Sequence, residues 1–127
     1  MIHLNIGSNL NSKFGNKFVN IFITINLLIE SKFKVKSISN YYETPSYPNK
    51  KFPNYLNVGI FGSFDKNFQE LIKIISIIEK KLGRIKTKKN EPRVCDIDII
   101  DFNGQIINKK NLSIPHKRCH LRNFVLF

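Results

Sequence analysis

Cysteine is scarce in this chain: among 127 residues there are two, Cys95 and Cys119. Two thiols with no C-x-x-C spacing exclude a disulfide framework, and the reduced state of a cytosolic protein is the expectation. Long apolar runs are also missing. The most hydrophobic helical stretch, Phe18 to Ile29, is interrupted by Asn20, Thr24 and Asn26 and is too short to span a bilayer. The opening residues, Met1 to Asn5, lack the charged and apolar regions of a signal peptide, so a cytoplasmic location and no membrane partner are expected. No internal repeat or low-complexity block occurs. Nor is there a glycine-rich phosphate loop followed by Lys and Ser/Thr, so any phosphate chemistry has to use another scaffold.

Acid is the minority charge, with nine Asp and Glu against 21 Lys and Arg and a formal net charge of +12. Such an excess would ordinarily raise nucleic acid or an anionic membrane as a partner. Here most of the cations are lysines, and Ile, Asn and Phe are abundant as well. All four residues have A/T-rich codons, so compositional drift explains much of the charge. The arginines are then the informative cations: Arg84, Arg93, Arg118 and Arg122, all in the last third of the chain. A guanidinium supplies planar, bidentate contacts to phosphate that an ammonium does not.

At 14.8 kDa with 42% hydrophobic residues the chain is long enough for one domain around one core. Ile2 to Ile6 alternates as a first strand and stops at the turn residues Gly7-Ser8-Asn9. From Lys13 to about Ser31 the period is helical, with apolar Phe18, Ile21, Phe22, Ile25, Leu28 and Ile29 set between polar Lys13, Lys17, Asn20 and Thr24. Phe33 to Tyr42 alternates as a second strand. Three prolines between Thr44 and Pro53 exclude a helix and predict a semi-rigid loop. Tyr42, Tyr47, Phe52 and Tyr55 around it would either line a pocket for a flat ligand or pack onto the core. Tyr55 to Phe64 reads as a third strand, with Leu56, Val58 and Ile60 alternating with Tyr55, Asn57, Gly59 and Phe61. Asn67, with Glu70 three residues on, predicts a capped helix whose stripe is Leu71, Ile74, Ile75, Ile78 and Leu82, ending at Gly83. A basic linker, Ile85 to Asn90, leads to the next strand. Beyond it, Asn103-Gly104 predicts a hairpin with Gln105 to Ile107 as the return strand, and Lys117 to Phe127 a terminal helix. The order β-α-β-β-α-β predicts an α+β, ferredoxin-like antiparallel sheet with its helices packed on one face, plus a C-terminal hairpin and short helix.

Chemistry concentrates in Glu91-Pro92-Arg93-Val94-Cys95-Asp96-Ile97-Asp98-Ile99-Ile100. Strand alternation puts Asp96 and Asp98 on one face and Cys95, Ile97 and Ile99 on the other. Their roots would be about 6–7 Å apart, a spacing suited to carboxylates that converge on one or two Mg²⁺ ions. Arg93 at the start of the strand suggests a phosphate held between metal and guanidinium. The alternative is a solvated polar face, since D-x-D is a common pattern.

Taken in order, several short motifs resemble the 6-hydroxymethyl-7,8-dihydropterin pyrophosphokinase (HPPK) family of folate synthesis. They are Ile6-Gly7-Ser8-Asn9-Leu10, Tyr42-Glu43-Thr44-Pro45, Tyr55-Leu56-Asn57, Ile78-Glu79 with Leu82-Gly83-Arg84, Pro92-Arg93 with Asp96 to Ile100, Ile114-Pro115-His116, and Arg122-Asn123-Phe124. The resemblance implies a single pyrophosphokinase domain over residues 1–127 with a ferredoxin-like fold, shortened at its C-terminus relative to the family. It implies transfer of the β,γ-pyrophosphoryl group of ATP to the pterin hydroxymethyl oxygen, releasing AMP. By the same resemblance, Asp96 and Asp98 hold two Mg²⁺ ions, and Arg84 and Arg93 act catalytically on the phosphates. Glu79, Ile99, His116 and Arg122 join those two arginines in binding ATP. Thr44, Pro45, Tyr47, Tyr55, Asn57 and Phe124 bind the pterin. The expected partners are these small molecules, with no nucleic acid, and the expected state is a monomer.

Three features depart from the family. Asn90-Glu91 stands where the family has Trp-Gly, Asn111 replaces a cation after the hairpin, and the chain stops at Phe127 where relatives continue. They keep a decayed, inactive relative as a rival reading. A basic ferredoxin-like RNA-binding module is a second rival, although the exposed central-strand aromatics it needs are missing. Zinc at Cys95, His116, Cys119 and His120 is disfavoured, because Cys95 should point away from the acids and the spacing is not that of a structural site.

Overall fold

The computed structural model describes residues 1–45, 53–83 and 94–105, together with the backbone of 107–109 and 112–114. The element order is β1 (Ile2–Ser8), α1 (Lys17–Glu30), β2 (Lys34–Ile38), β3 (Tyr42–Thr44), β4 (Tyr55–Ser63), α2 (Phe68–Lys81), β5 (Asp96–Phe102), β6 (Ile107–Lys109) and β7 (Leu112–Ile114). Strands run β2-β4-β1-β5 across an antiparallel sheet, with β3 also paired to β4. This is the ferredoxin-like order the sequence predicts, and the fold is α+β.

One face of the sheet carries the core. Ile2, Leu4 and Ile6 of β1, Leu56, Val58 and Ile60 of β4, and Ile97, Ile99 and Phe102 of β5 meet Ile21, Ile25 and Leu28 of α1 and Leu71, Ile75 and Ile78 of α2. Asn67 caps α2 as expected, its side chain accepting from the Glu70 N–H, and Leu82 and Gly83 end it.

Four expectations need correction. The first helix starts at Lys17, not Lys13, because Ser12 and Gly15 form a tight bridged turn and Asn16 is the cap. Its buried face is also different. Asn20 and Thr24, expected among the polar positions, are buried, whereas Phe18 and Phe22 are exposed. Burying Asn20 is tolerable because its amide is satisfied: Nδ2 donates to Leu10 O at 2.9 Å and to Ser8 Oγ, and Oδ1 accepts from Ser12 Oγ. Thr24 Oγ1 donates to Asn20 O and lies 3.4 Å from Cys95 Sγ.

The second strand is not continuous. A break after Ile38 divides it into β2 and β3, which both pair with β4, and β2 itself carries a register shift between Val35 and Ser37. Ser39 fills the gap, donating its N–H to Gly59 O and accepting the Gly59 N–H on its hydroxyl. Finally, Asn103-Gly104 does turn, with both residues at positive φ, but among the described residues no pairing of the following strand with β5 is seen. Ile107–Lys109 pairs with Leu112–Ile114 in a separate two-stranded ribbon. The expected terminal helix and the basic linker lie outside the described residues.

Candidate active site

The sheet face away from the helices holds the candidate site. Asp96 and Asp98 are both half-buried there, and Ile97 and Ile99 between and beside them are in the core. Across the β1 pairing, Asp96 faces Gly7 and Asp98 faces Asn5. On the other side of β1, Gly7 faces Asn57 and Asn5 faces Gly59. Asn57 in turn faces Tyr42, and Tyr55 faces Thr44. Side chains directly opposite share a face, so the two acids, Asn57, Tyr55, Tyr42 and Thr44 line one surface that crosses four strands.

The polar groups at the far side of this surface are tied down. Asn57 is buried, and its Nδ2 donates to Thr44 Oγ1 at 2.9 Å and, less tightly, to the Tyr42 and Tyr55 carbonyls. Its Oδ1 is left facing Gly7: a β-carbon on Gly7 would stand 3.0 Å from that oxygen and 3.2 Å from Tyr55 Cδ1. The Tyr42 hydroxyl donates to Asn5 Oδ1 at 2.9 Å, and burial pushes its pKa up to about 12, so the phenol keeps its proton. His3, stacked on Phe61 with ring centroids 4.3 Å apart, sits two residues further along β1. Burial lowers its pKa below 6.5, and the Asp101 charge partly opposes that shift.

Glu79 reaches β5 from α2. Its carboxylate accepts the Ile97 N–H at 3.0 Å, tying the helix to the segment between the two acids. The Ile99 side chain is in the core, so any contact it makes with a nucleotide runs through backbone on the β5 edge. Pro45 follows directly on β3. Tyr47, Arg84, Arg93, His116, Arg122 and Phe124 lie outside the described residues. Asn5 and Tyr42 as a hydrogen-bonded pair escaped the sequence reading. Nothing local in Leu4-Asn5-Ile6 distinguishes a site residue from an ordinary strand asparagine.

The donor set fits magnesium. Two carboxylates on one face supply hard oxygens, and among the described residues no three acids, histidines or cysteines gather as they would in an all-protein metal cage. Mg²⁺ is commonly held by one or two carboxylates with water and substrate phosphates completing the shell.

Among the described residues, the sheet face away from the helices carries an aspartate pair on β5 and an amide-and-aromatic patch on β3 and β4, on an α+β fold of the ferredoxin-like class. The HPPK family, described as 7,8-dihydro-6-hydroxymethylpterin-pyrophosphokinase, matches residues 3–127, and the chain belongs to it. A pyrophosphokinase of Helicobacter pylori with the full name 2-amino-4-hydroxy-6-hydroxymethyldihydropteridine pyrophosphokinase is 30% identical over 97% of this chain and 75% of its own length. The enzyme of that name from Bacillus subtilis is 34% identical over 72% of the chain and 55% of its length. Folic acid synthesis protein FOL1 of Dictyostelium discoideum is 38% identical over 77% of the chain, which spans only 15% of that longer protein.

Proposed function

We propose that this protein transfers the β,γ-pyrophosphoryl group of ATP to the hydroxymethyl oxygen of 6-hydroxymethyl-7,8-dihydropterin, releasing AMP, as a step of folate synthesis. The observation that carries the reading is the shared surface of Asp96 and Asp98 with Asn57, Thr44 and Tyr55. Family membership supports it.

In this reading Asp96 and Asp98 hold the metal, two Mg²⁺ ions in the full complex. Bound Mg²⁺ would neutralise phosphate oxygens and acidify the attacking hydroxyl. The residues themselves orient and exclude. Asn57, fixed by Thr44, presents its Oδ1 to N–H groups on the edge of a flat heterocycle, while Tyr55 and Pro45 offer apolar surface to its ring. Tyr47 and Phe124 would complete that pocket. Arg84 and Arg93 would spread the charge that builds on phosphate in the transition state, with His116 and Arg122 gripping the nucleotide. Glu79 would contribute indirectly by anchoring β5. No described helix is long and apolar enough to cross a membrane. In this reading the protein is a cytoplasmic enzyme that acts as a monomer on small molecules.

The test is incubation of the protein with ATP, Mg²⁺ and the reduced hydroxymethylpterin, with AMP as the readout. AMP should form at a rate at least a hundredfold above an Asp96→Ala control, by roughly the measured scale of electrostatic contributions to transition states. Equal rates for the two proteins would favour the decayed relative.

A further inference from the structure

Asn5 carries an amide group that the structure leaves half used. Its side chain is 4% exposed on β1, between Gly59 and Asp98. Its Oδ1 accepts the Tyr42 hydroxyl at 2.9 Å. Among the described residues nothing accepts from its Nδ2. A buried amide N–H without an acceptor is costly and uncommon, so the group needs a partner in the working state.

Direction follows from topology. Tyr42 belongs to β3, which pairs with β4, and β4 lies on the opposite side of β1 from β5. The tyrosine therefore approaches Asn5 from the β4 side. The two heteroatoms of a carboxamide diverge from one carbon, so with Oδ1 engaged toward β4 the Nδ2 is turned toward β5. The residue opposite there is Asp98, whose Cβ in such a pair is roughly 5 Å away.

We infer that Asn5 is a positioning residue: when metal is bound, its Nδ2 donates to the Asp98 carboxylate oxygen that does not ligate, and the Tyr42 hydroxyl keeps the amide in that orientation. The inference rests on Asp98 being a metal ligand, as proposed above. Carboxylates that ligate metal are held by hydrogen bonds of this kind, and losing one weakens metal affinity about 10- to 100-fold. Asn5 lies on β1 opposite Asp98, one strand from Asn57 and two from Thr44, so its Nδ2 is assigned to the metal ligand and not to the heterocycle.

The experiment titrates Mn²⁺ into the protein with a non-hydrolysable ATP analogue, reading bound metal by electron paramagnetic resonance. Asn5→Ala should weaken Mn²⁺ binding about tenfold, and Tyr42→Phe by roughly threefold through loss of one hydrogen bond. Analogue affinity measured in chelator without metal should not change in either variant. Thermal unfolding checks that both are folded, and Tyr42→Phe, which keeps the ring, remains informative if Asn5→Ala is not. Asp98→Ala separates the two levels of the argument. If it binds Mn²⁺ as well as the unaltered protein, the metal-holding reading of Asp98 fails and this inference with it. If Asp98→Ala loses the metal while folded Asn5→Ala and Tyr42→Phe keep it within twofold, the role of Asn5 alone is overturned. A loss of analogue affinity without metal would place the amide on phosphate and also overturn it.

Discussion

Substituting Gly7 by alanine puts the geometry of the proposed pterin pocket to a sharp test. Gly7 has no positive φ, so alanine can adopt its backbone and the effect reduces to space. The new methyl group would lie 3.0 Å from Asn57 Oδ1 and 3.2 Å from Tyr55 Cδ1, tighter than ordinary van der Waals contact at both. Overfilling a packed site costs typically ~1–3 kcal/mol. The smaller unfolded-state entropy of alanine returns about 0.4–1 kcal/mol. The net is a loss on the order of 1 kcal/mol, or a fall of about 3–5 °C in the unfolding midpoint for a domain of this size. The functional effect should be larger in proportion. Asn57 must shift by a few tenths of an ångström, which strains its 2.9 Å bond to Thr44 and swings its Oδ1. Since a misplacement of about 1 Å can cost a hundredfold, a roughly three- to tenfold rise in the pterin KM is expected. Steady-state AMP formation with each substrate varied in turn is the assay, and the KM for MgATP should barely move. An unchanged pterin KM with an unchanged unfolding midpoint would refute the assignment of Asn57 and Tyr55 to the pocket.

The register of α1 predicts a contrast between neighbours: Ile21→Ala should cost about 2–5 kcal/mol, and Phe22→Ala within about 0.5 kcal/mol of nothing, by chemical denaturation. His3 has a native pKa below its unfolded value of 6.5. Stability should therefore be full above pH 6.5, decline as pH falls from there toward the native pKa, and lose that part of its slope in His3→Phe. Tyr42, with its pKa raised to about 12, should contribute a late-ionising component to an ultraviolet titration of the folded protein, and Tyr42→Phe should remove it. The raised value also implies stability lost as pH climbs from about 10 to 12, a loss that Tyr42→Phe should remove.

Most of the architecture was legible because it depends on local signals that agree. Alternation in Asp96-Ile97-Asp98-Ile99 specified which side each acid takes, and Asn67 with Glu70 marked the start of α2. What was not legible depends on partners distant in sequence. Whether Asn20 and Thr24 face water or core is decided by Ser8, Leu10, Ser12 and Cys95, which satisfy them only once β1 and β5 are in place. The break between β2 and β3 is likewise made tolerable by a bond from Gly59 to Ser39, twenty residues away. Asn5 was invisible as a site residue for the same reason, since its meaning comes from Tyr42 and Asp98.

The register shift where β1 meets β5 leaves Ile100 without an opposite number, so that His3 faces Asp101 and Leu4 faces Ile99. An extra residue at that point bends and twists the strand, and it also resets the count. Asp98 and Asp101, three apart, emerge on the same side, while Ile99 and Phe102 both turn inward. The strand thus has a joint that separates the half carrying Asp96 and Asp98 from the Asn103-Gly104 end: a residue gained or lost beyond Ile100 should disturb the turn and leave the two acids pointing where they do.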